Sequence, residues 1–205
     1  MRIFVSPTGT EKLSHAEQSA LAYLLLDYAV GRAWGEKCGE IARTEAGKPI
    51  FVGHGDRFFS ISHTEGYVLA AVSPHPVGAD IQAYRTVSAA LETRLLHTDF
   101  ERELGLFETF SARESIFKLT GRGSLRRMRL MPQGENITAA EQREIKCRLY
   151  PALPRCPVTA ACTEGAFPPE IEIVPQAELL CVTGTQRDIK TIPHKTKTCI
   201  EAQKW

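Results

Sequence analysis

Tyr67-Val-Leu-Ala-Ala-Val-Ser-Pro-His-Pro-Val-Gly-Ala-Asp-Ile-Gln82 decides the fold of this chain, because a version of it occurs twice. Its counterpart is Pro157-Val-Thr-Ala-Ala-Cys-Thr-Glu-Gly-Ala-Phe-Pro-Pro-Glu-Ile-Glu172. The match has no gaps, with Val68 and Val158, and again Ile81 and Ile171, 90 residues apart. In the first copy a run of strand formers meets a Ser-Pro-His-Pro turn and then a second extended run, so the unit is strand–turn–strand. Its repetition implies an α+β chain of two similar halves, 1–92 and 93–175, each contributing one such unit.

The flanking sequence supplies the helices. Ser14 and Glu17 form an S-x-x-E capping box, and Leu21, Leu24, Leu25 and Tyr28 follow at i, i+3, i+4 and i+7. This predicts a helix with one apolar face that stops near Gly31. Short strands are expected at Ile3–Val5, Ile50–Val52 and Phe58–Ser62, with His63-Thr-Glu-Gly66 as a hairpin loop and Val77–Gln82 as a further strand. Thr98 and Glu101 form a second capping box. A helix from Leu106 to Leu119 should end at Gly121. Residues 176–205 hold few apolar side chains beyond Leu179, Leu180 and Val182, and Lys190, Lys195, Lys197 and Lys204 dominate, which predicts a loosely ordered basic tail.

Composition narrows the function classes. The formal net charge is +1, so no global bias points to nucleic acid or to a membrane surface. The opening Met1-Arg-Ile-Phe-Val-Ser-Pro lacks the apolar core of a secretory signal, and no apolar run approaches the roughly 20 residues of a membrane span. A cytoplasmic location follows as the expectation. Five of the six cysteines lie in the last third without C-x-x-C spacing, which favours reduced, incidental thiols over a zinc site.

Asp80 and Gln82 share one face of their strand while Ala79 and Ile81 take the other. A carboxylate inside a strand is disfavoured, so Asp80 belongs either to an exposed edge or to a site. On a helical wheel of about 100° per residue, Leu106, Phe110 and Phe117 cluster, and Glu114 falls at the edge of that apolar face. A carboxylate there is partly desolvated and needs a partner. Lys118, one turn on, offers an ordinary helix ion pair, and a hard cation shared with Asp80 is the other solution. Lys48 in a Gly-Lys-Pro turn, with Ser62 and His63 at the hairpin, supplies groups that suit an anion. Each of these residues also has an ordinary structural reading.

Taken in order, Gly47-Lys-Pro49, Phe59-Ser-Ile-Ser-His63, Gly78-Ala-Asp-Ile-Gln82 and Phe110-Ser-Ala-Arg-Glu-Ser-Ile-Phe-Lys118 resemble the 4′-phosphopantetheinyl transferases of the larger, pseudodimeric, surfactin-synthetase-activating type. The family's hallmarks look like G-x-D-x-E and W/F-x-x-K-E-x-x-x-K. The likeness spans about Glu17 to Pro175 and is strongest over 47–121. It implies pseudo-twofold symmetry with the active site between the halves, and a monomer.

The implied reaction transfers 4′-phosphopantetheine from coenzyme A to a serine of an acyl or peptidyl carrier protein, releasing 3′,5′-ADP. By the resemblance Asp80, Gln82 and Glu114 hold Mg2+, and Glu114 and Lys118 act in catalysis. Lys48, Pro49, Ser62, His63 and Lys118 bind coenzyme A. Three departures stand out: Gln82 where Glu is usual, Arg113 in place of Lys, and no arginine in the first helix between Ala20 and Val30. A non-catalytic relative that binds coenzyme A or carrier protein is the alternative these departures leave open, with another metal-dependent phosphoryl-transfer enzyme behind it. Arg122, Arg126, Arg127 and Arg129, around Met128 and Leu130, form a candidate docking patch for an acidic carrier, or else a solvated loop.

Overall fold

A computed structural model describes residues 1–9, 13–45, 47–154 and 156–182. The elements run β1 (Arg2–Pro7), α1 (His15–Trp34), β2 (Ile41–Arg43), β3 (Pro49–Phe51), β4 (Phe58–Thr64), β5 (Tyr67–Ser73), β6 (Val77–Ile81), α2 (Ala89–Leu95), α3 (Asp99–Leu104), α4 (Leu106–Thr120), β7 (Leu130–Gln133), β8 (Asn136–Ala139), β9 (Gln142–Tyr150), β10 (Val158–Cys162), β11 (Glu172–Ile173) and α5 (Gln176–Val182). The fold is α+β. One sheet has the order β11-β1-β5-β4 and a second the order β6-β10-β9-β8-β7, with β2 and β3 as a separate ribbon.

The repeated strand–turn–strand unit explains this order. In the first copy β5 stays in the first sheet while β6 crosses to pair antiparallel with β10 of the second. In the second copy β10 stays and β11 crosses to pair with β1 of the first sheet. Each unit therefore ties the two sheets together covalently.

Strand alternation then builds a stack of helix, sheet, sheet and helix. Phe4, Val68, Ala70 and Val72 turn one face of the first sheet to Leu21, Leu25 and Leu26 of α1. Ile3, Val5, Leu69 and Ala71 turn the opposite face to Val77, Ala79, Ile81, Val158 and Ala160 of the second sheet. Ala161, Cys147 and Ile145 meet Ala112 and Ile116 of α4 on the far side. Because β5 is covered on both faces, its near-continuous apolar run is what this position demands.

Both expected capping boxes form, Ser14 with Glu17 on α1 and Thr98 with Glu101 on α3. Helix α1 runs past Gly31 to Trp34, and Gly35 closes it in the left-handed conformation that glycine adopts most readily. The expected boundary at 176 is also corrected. Residues 176–182 form α5, with Leu179 fully buried against α1 and the Tyr28 hydroxyl donating to Glu178 at 2.8 Å. The basic segment from 183 onward lies outside the described residues. Among the described residues no helix is long and apolar enough to cross a membrane, and no cysteine is disulfide-bonded.

Candidate active site at the seam of the two sheets

The edge strands β4 and β6 face each other where the sheets meet, and side chains rather than a backbone ladder join them. Ser60, Ser62 and Thr64 alternate along β4. The Ser60 hydroxyl accepts from Ala79 N at 2.9 Å and donates to Ala79 O at 3.3 Å. Thr64 Oγ1 accepts from Ala83 N at 2.9 Å. Between them, Ser62 Oγ donates to Asp80 Oδ1 at 2.7 Å. The sequence Phe-Phe-Ser-Ile-Ser-His-Thr thus spends one face of its strand on the seam and leaves His63 on the face toward α1.

Gly78 brings α4 onto this seam. A Cβ on Gly78 would overlap the carbonyl oxygen of Ser115 and lie 2.5 Å from the amide nitrogen of Leu119, both of them backbone atoms. Helix and strand can approach this closely only because glycine has no side chain. The buried side of α4 is correspondingly small and polar: Ser111 and Ser115 bond to Thr159 Oγ1 of β10 at 2.9 and 2.7 Å, and Ser111 Oγ donates to Asp80 O at 3.3 Å. Phe107, Phe110 and Phe117 are only half-buried, so the aromatic face expected to point inward lies on the open side of the helix instead.

This packing delivers Glu114 and Lys118 to Asp80. Asp80 is 2% exposed. Its Oδ1 accepts from Lys118 Nζ at 2.6 Å as well as from Ser62, and its Oδ2 accepts from Gln82 Nε2 at 2.8 Å. The Glu114 side chain makes no hydrogen bond or ion pair among the described residues. Burial raises its pKa, the charge of Asp80 adds to the rise, and Lys118 partly offsets it. Lys48 Nζ reaches the same end of α4 and donates to Leu119 O at 3.2 Å, and its burial lowers its pKa to about 8. Pro49 follows as the first residue of β3.

Asp80, Gln82, Glu114, Lys118, Ser62 and His63 are therefore linked by hydrogen bond or charge at the seam, and Lys48 meets the end of α4 at Leu119 O. Among the described residues no group of three or more His, Cys, Asp or Glu forms a ready metal cluster. Two carboxylates and an amide oxygen are nonetheless a hard-oxygen donor set, and magnesium commonly takes only one or two carboxylates plus water and substrate phosphate. A carboxylate has about four lone-pair directions. Three hydrogen bonds occupy Asp80, two of them on Oδ1, so Oδ2 keeps one direction open. Glu114 lies within electrostatic reach of Asp80 and Lys118. The residues fit the ion.

Sequence reasoning missed other parts. Arg113, which the sequence marked only as standing in place of Lys, is fully buried. Its guanidinium donates to Glu101 Oε1 at 2.8 Å and to Leu95 O at 3.0 Å. Met128 and Leu130 are buried in the core beneath the arginine loop, while Arg122, Arg126, Arg127 and Arg129 are exposed. The patch is therefore purely cationic, without the apolar centre expected of it. An open groove beside it, lined by Thr120, Arg122, Gly123, Glu141, Gln142 and Glu144, holds none of the residues gathered at Asp80.

No protein-family model matches the chain. The chain is similar to the 4′-phosphopantetheinyl transferase Sfp of Bacillus subtilis, 26% identical over 202 residues that cover 86% of this chain and 90% of that protein. A 4′-phosphopantetheinyl transferase of Bacillus pumilus is 30% identical over 87 residues, 38% of this chain and 37% of its own. Another, of Aneurinibacillus migulanus, is 31% identical over 91 residues, 40% of this chain and 38% of its own.

Proposed function

We propose that this chain, which belongs to the 4′-phosphopantetheinyl transferase family, transfers the 4′-phosphopantetheine group of coenzyme A to a serine of an acyl or peptidyl carrier protein, releasing 3′,5′-ADP. The observation that carries this reading is the gathering of Asp80, Glu114 and Lys118 at one seam, two carboxylates for a cation and a proton and an ammonium for a pyrophosphate, with Lys48 at the adjoining end of α4. In the reaction the serine oxygen bonds to the phosphorus that carries pantetheine. The bond from that phosphorus to the oxygen bridging the two phosphates breaks, and its electron pair leaves with 3′,5′-ADP.

Glu114 takes the serine proton. Its raised pKa makes it a stronger base than an exposed carboxylate, and it loses that role as pH falls through the raised value. Lys118 offsets charge on the pyrophosphate as the bond breaks. Lys48 meets the nucleotide phosphates, and binding an anion restores the proton affinity that burial removes. Pro49 fixes the backbone that presents Lys48, and Ser62 and His63 complete the phosphate contacts. Asp80, Gln82 and Glu114 would hold Mg2+, which when bound neutralises pyrophosphate oxygens as a Lewis acid.

We place the two halves in a pseudo-twofold relation and the protein in the cytoplasm as a monomer with no nucleic-acid or membrane partner. Magnesium-dependent release of 3′,5′-ADP in the presence of a serine carrier protein tests the function. Release without magnesium, or no release with a panel of carriers, would overturn it.

The amide at position 82 yields a sharper expectation. Gln82→Glu adds a charge beside Asp80 and should lower the magnesium concentration needed for half-maximal rate. An unchanged titration would remove this position from the ion's ligands and their waters. The arginine loop gives another. Reversing Arg126 and Arg127 to Glu should raise KM for an acidic carrier and weaken its salt dependence, with coenzyme A affinity unchanged. If carrier KM and its response to salt match the parent's, the loop plays no part in docking.

A further inference from the structure

His63 sits on the face of β4 turned toward α1, opposite Ser62, and its Nδ1 lies 3.0 Å from Gln18 Oε1. The orientation of the Gln18 amide is fixed independently, because its Nε2 donates to the carbonyl oxygen of Leu13 at 3.2 Å. A carbonyl can only accept, so the amide nitrogen must face Leu13 and the amide oxygen must face His63. An amide oxygen in turn can only accept, so His63 Nδ1 carries the hydrogen. The neutral ring is left with a bare lone pair at Nε2, which repels a phosphate oxygen. Protonation places an N–H there and turns the ring into a phosphate donor.

From these contacts we infer that Gln18 is a positioning residue that fixes the His63 tautomer, so that His63 grips a phosphate of coenzyme A only as imidazolium and nucleotide binding takes up a proton. The inference rests on the coenzyme A reading above. The surroundings keep the ring neutral before the ligand arrives. Burial lowers the His63 pKa, as do the His15 ring packed edge-on from α1 at 4.6 Å and Lys118 from α4, while Asp80 on β6 acts in the opposite sense. An arriving phosphate supplies the negative charge that reverses this balance. Affinity through this contact therefore weakens by about tenfold per pH unit between the free and the bound titration of His63.

The test joins spectroscopy of the free protein to calorimetry. Long-range proton–nitrogen NMR of the His63 ring, assigned by the signal missing in His63→Gln, should show the Nδ1–H tautomer once the ring is neutral. Coenzyme A titrations from about pH 6 to 8, in buffers of different ionisation enthalpy, count the protons taken up. Gln18→Leu removes the acceptor and lets a neutral ring donate from Nε2, so proton uptake and the pH slope should both shrink. Gln18→Glu keeps an acceptor and adds charge, so the slope should persist but move to higher pH. Lys48 and the ligand's own phosphate titrate equally in every variant, and the differences isolate His63. An Nε2–H tautomer in the parent, or equal slopes in the parent and a folded Gln18→Leu, overturns the role of Gln18 while leaving the transferase reading intact. Failure of the parent to bind coenzyme A at any pH overturns both.

Discussion

Asp80→Ala is expected to lower turnover by about 10²- to 10³-fold while leaving the chain folded. Its carboxylate is the point on which Ser62, Gln82 and Lys118 converge, each within 2.8 Å. Removing it deletes one of the two proposed anionic ligands and frees the Lys118 ammonium from its position. The fold should survive because none of the three donors is stranded in an apolar core: Lys118 and Gln82 are only part-buried, and a water can replace one carboxylate oxygen at Ser62. The measurement is kcat with coenzyme A and carrier protein, beside a thermal melt of the same preparation. Near-parental kcat in a folded Asp80→Ala would contradict the role given to this carboxylate.

The largest effect on stability is expected from Glu101→Ala. Glu101 and Arg113 are both fully buried and 2.8 Å apart. Glu101 also accepts from the backbone N–H of Leu130 at 2.7 Å and of His97 at 2.5 Å, so one carboxylate ties α3, α4 and the start of β7 together. Breaking such a pair leaves a guanidinium buried without compensation and costs about 3–5 kcal/mol. Replacing both partners, as in Glu101→Met with Arg113→Leu, should recover most of that loss, because the cost lies in the orphaned charge rather than in a missing attraction.

Titration gives a second handle. Burial alone would raise the Glu101 pKa, but the two backbone N–H donors and Arg113 outweigh it and hold the carboxyl below its ordinary value. A lowered folded-state pKa contributes stability that is present above the unfolded-state value and is lost as pH falls through the folded one. Acid unfolding should accordingly be steeper in the parent than in the double variant. Urea unfolding at neutral pH within about 1 kcal/mol of the parent for Glu101→Ala would show that this pair does not hold the α3–α4 junction.

These two sites also mark how far the sequence could be read. Asp80 was legible because a carboxylate at i with an amide at i+2 inside an apolar strand breaks the strand's own pattern, and Gly78 two residues earlier gave the reason without declaring it. What the one-dimensional pattern hides is which surface a helix meets. A wheel groups Leu106, Phe110 and Phe117 by angle, yet α4 packs against backbone at Gly78. The buried side must then be Ser111, Ala112 and Ser115, and the aromatic rings are turned to the open side.

The burial of Arg113 was hidden for the same reason. Nothing local announces it, because its partner lies 12 residues away on another helix. Leu130 opens β7 and Met128 just precedes it, and both are buried beneath the arginine loop in the core against the second sheet. The repeated strand–turn–strand unit was legible as a repeat. Its consequence, that each copy sends its second strand into the other sheet, depends on pairing between residues far apart in the chain, which no local signal encodes. His63 was found from its motif, whereas Gln18, the residue that sets its hydrogen bonding, carries no motif at all and emerges only from contact.

The central claim is tested most directly by the mass of a carrier protein after incubation with this protein, coenzyme A and magnesium. The account predicts that an acyl or peptidyl carrier gains one phosphopantetheine on its serine, that 3′,5′-ADP appears in equal amount, and that both are lost with Glu114→Gln. A carrier whose mass stays unchanged while coenzyme A binds normally would contradict it and leave a binding protein in place of an enzyme.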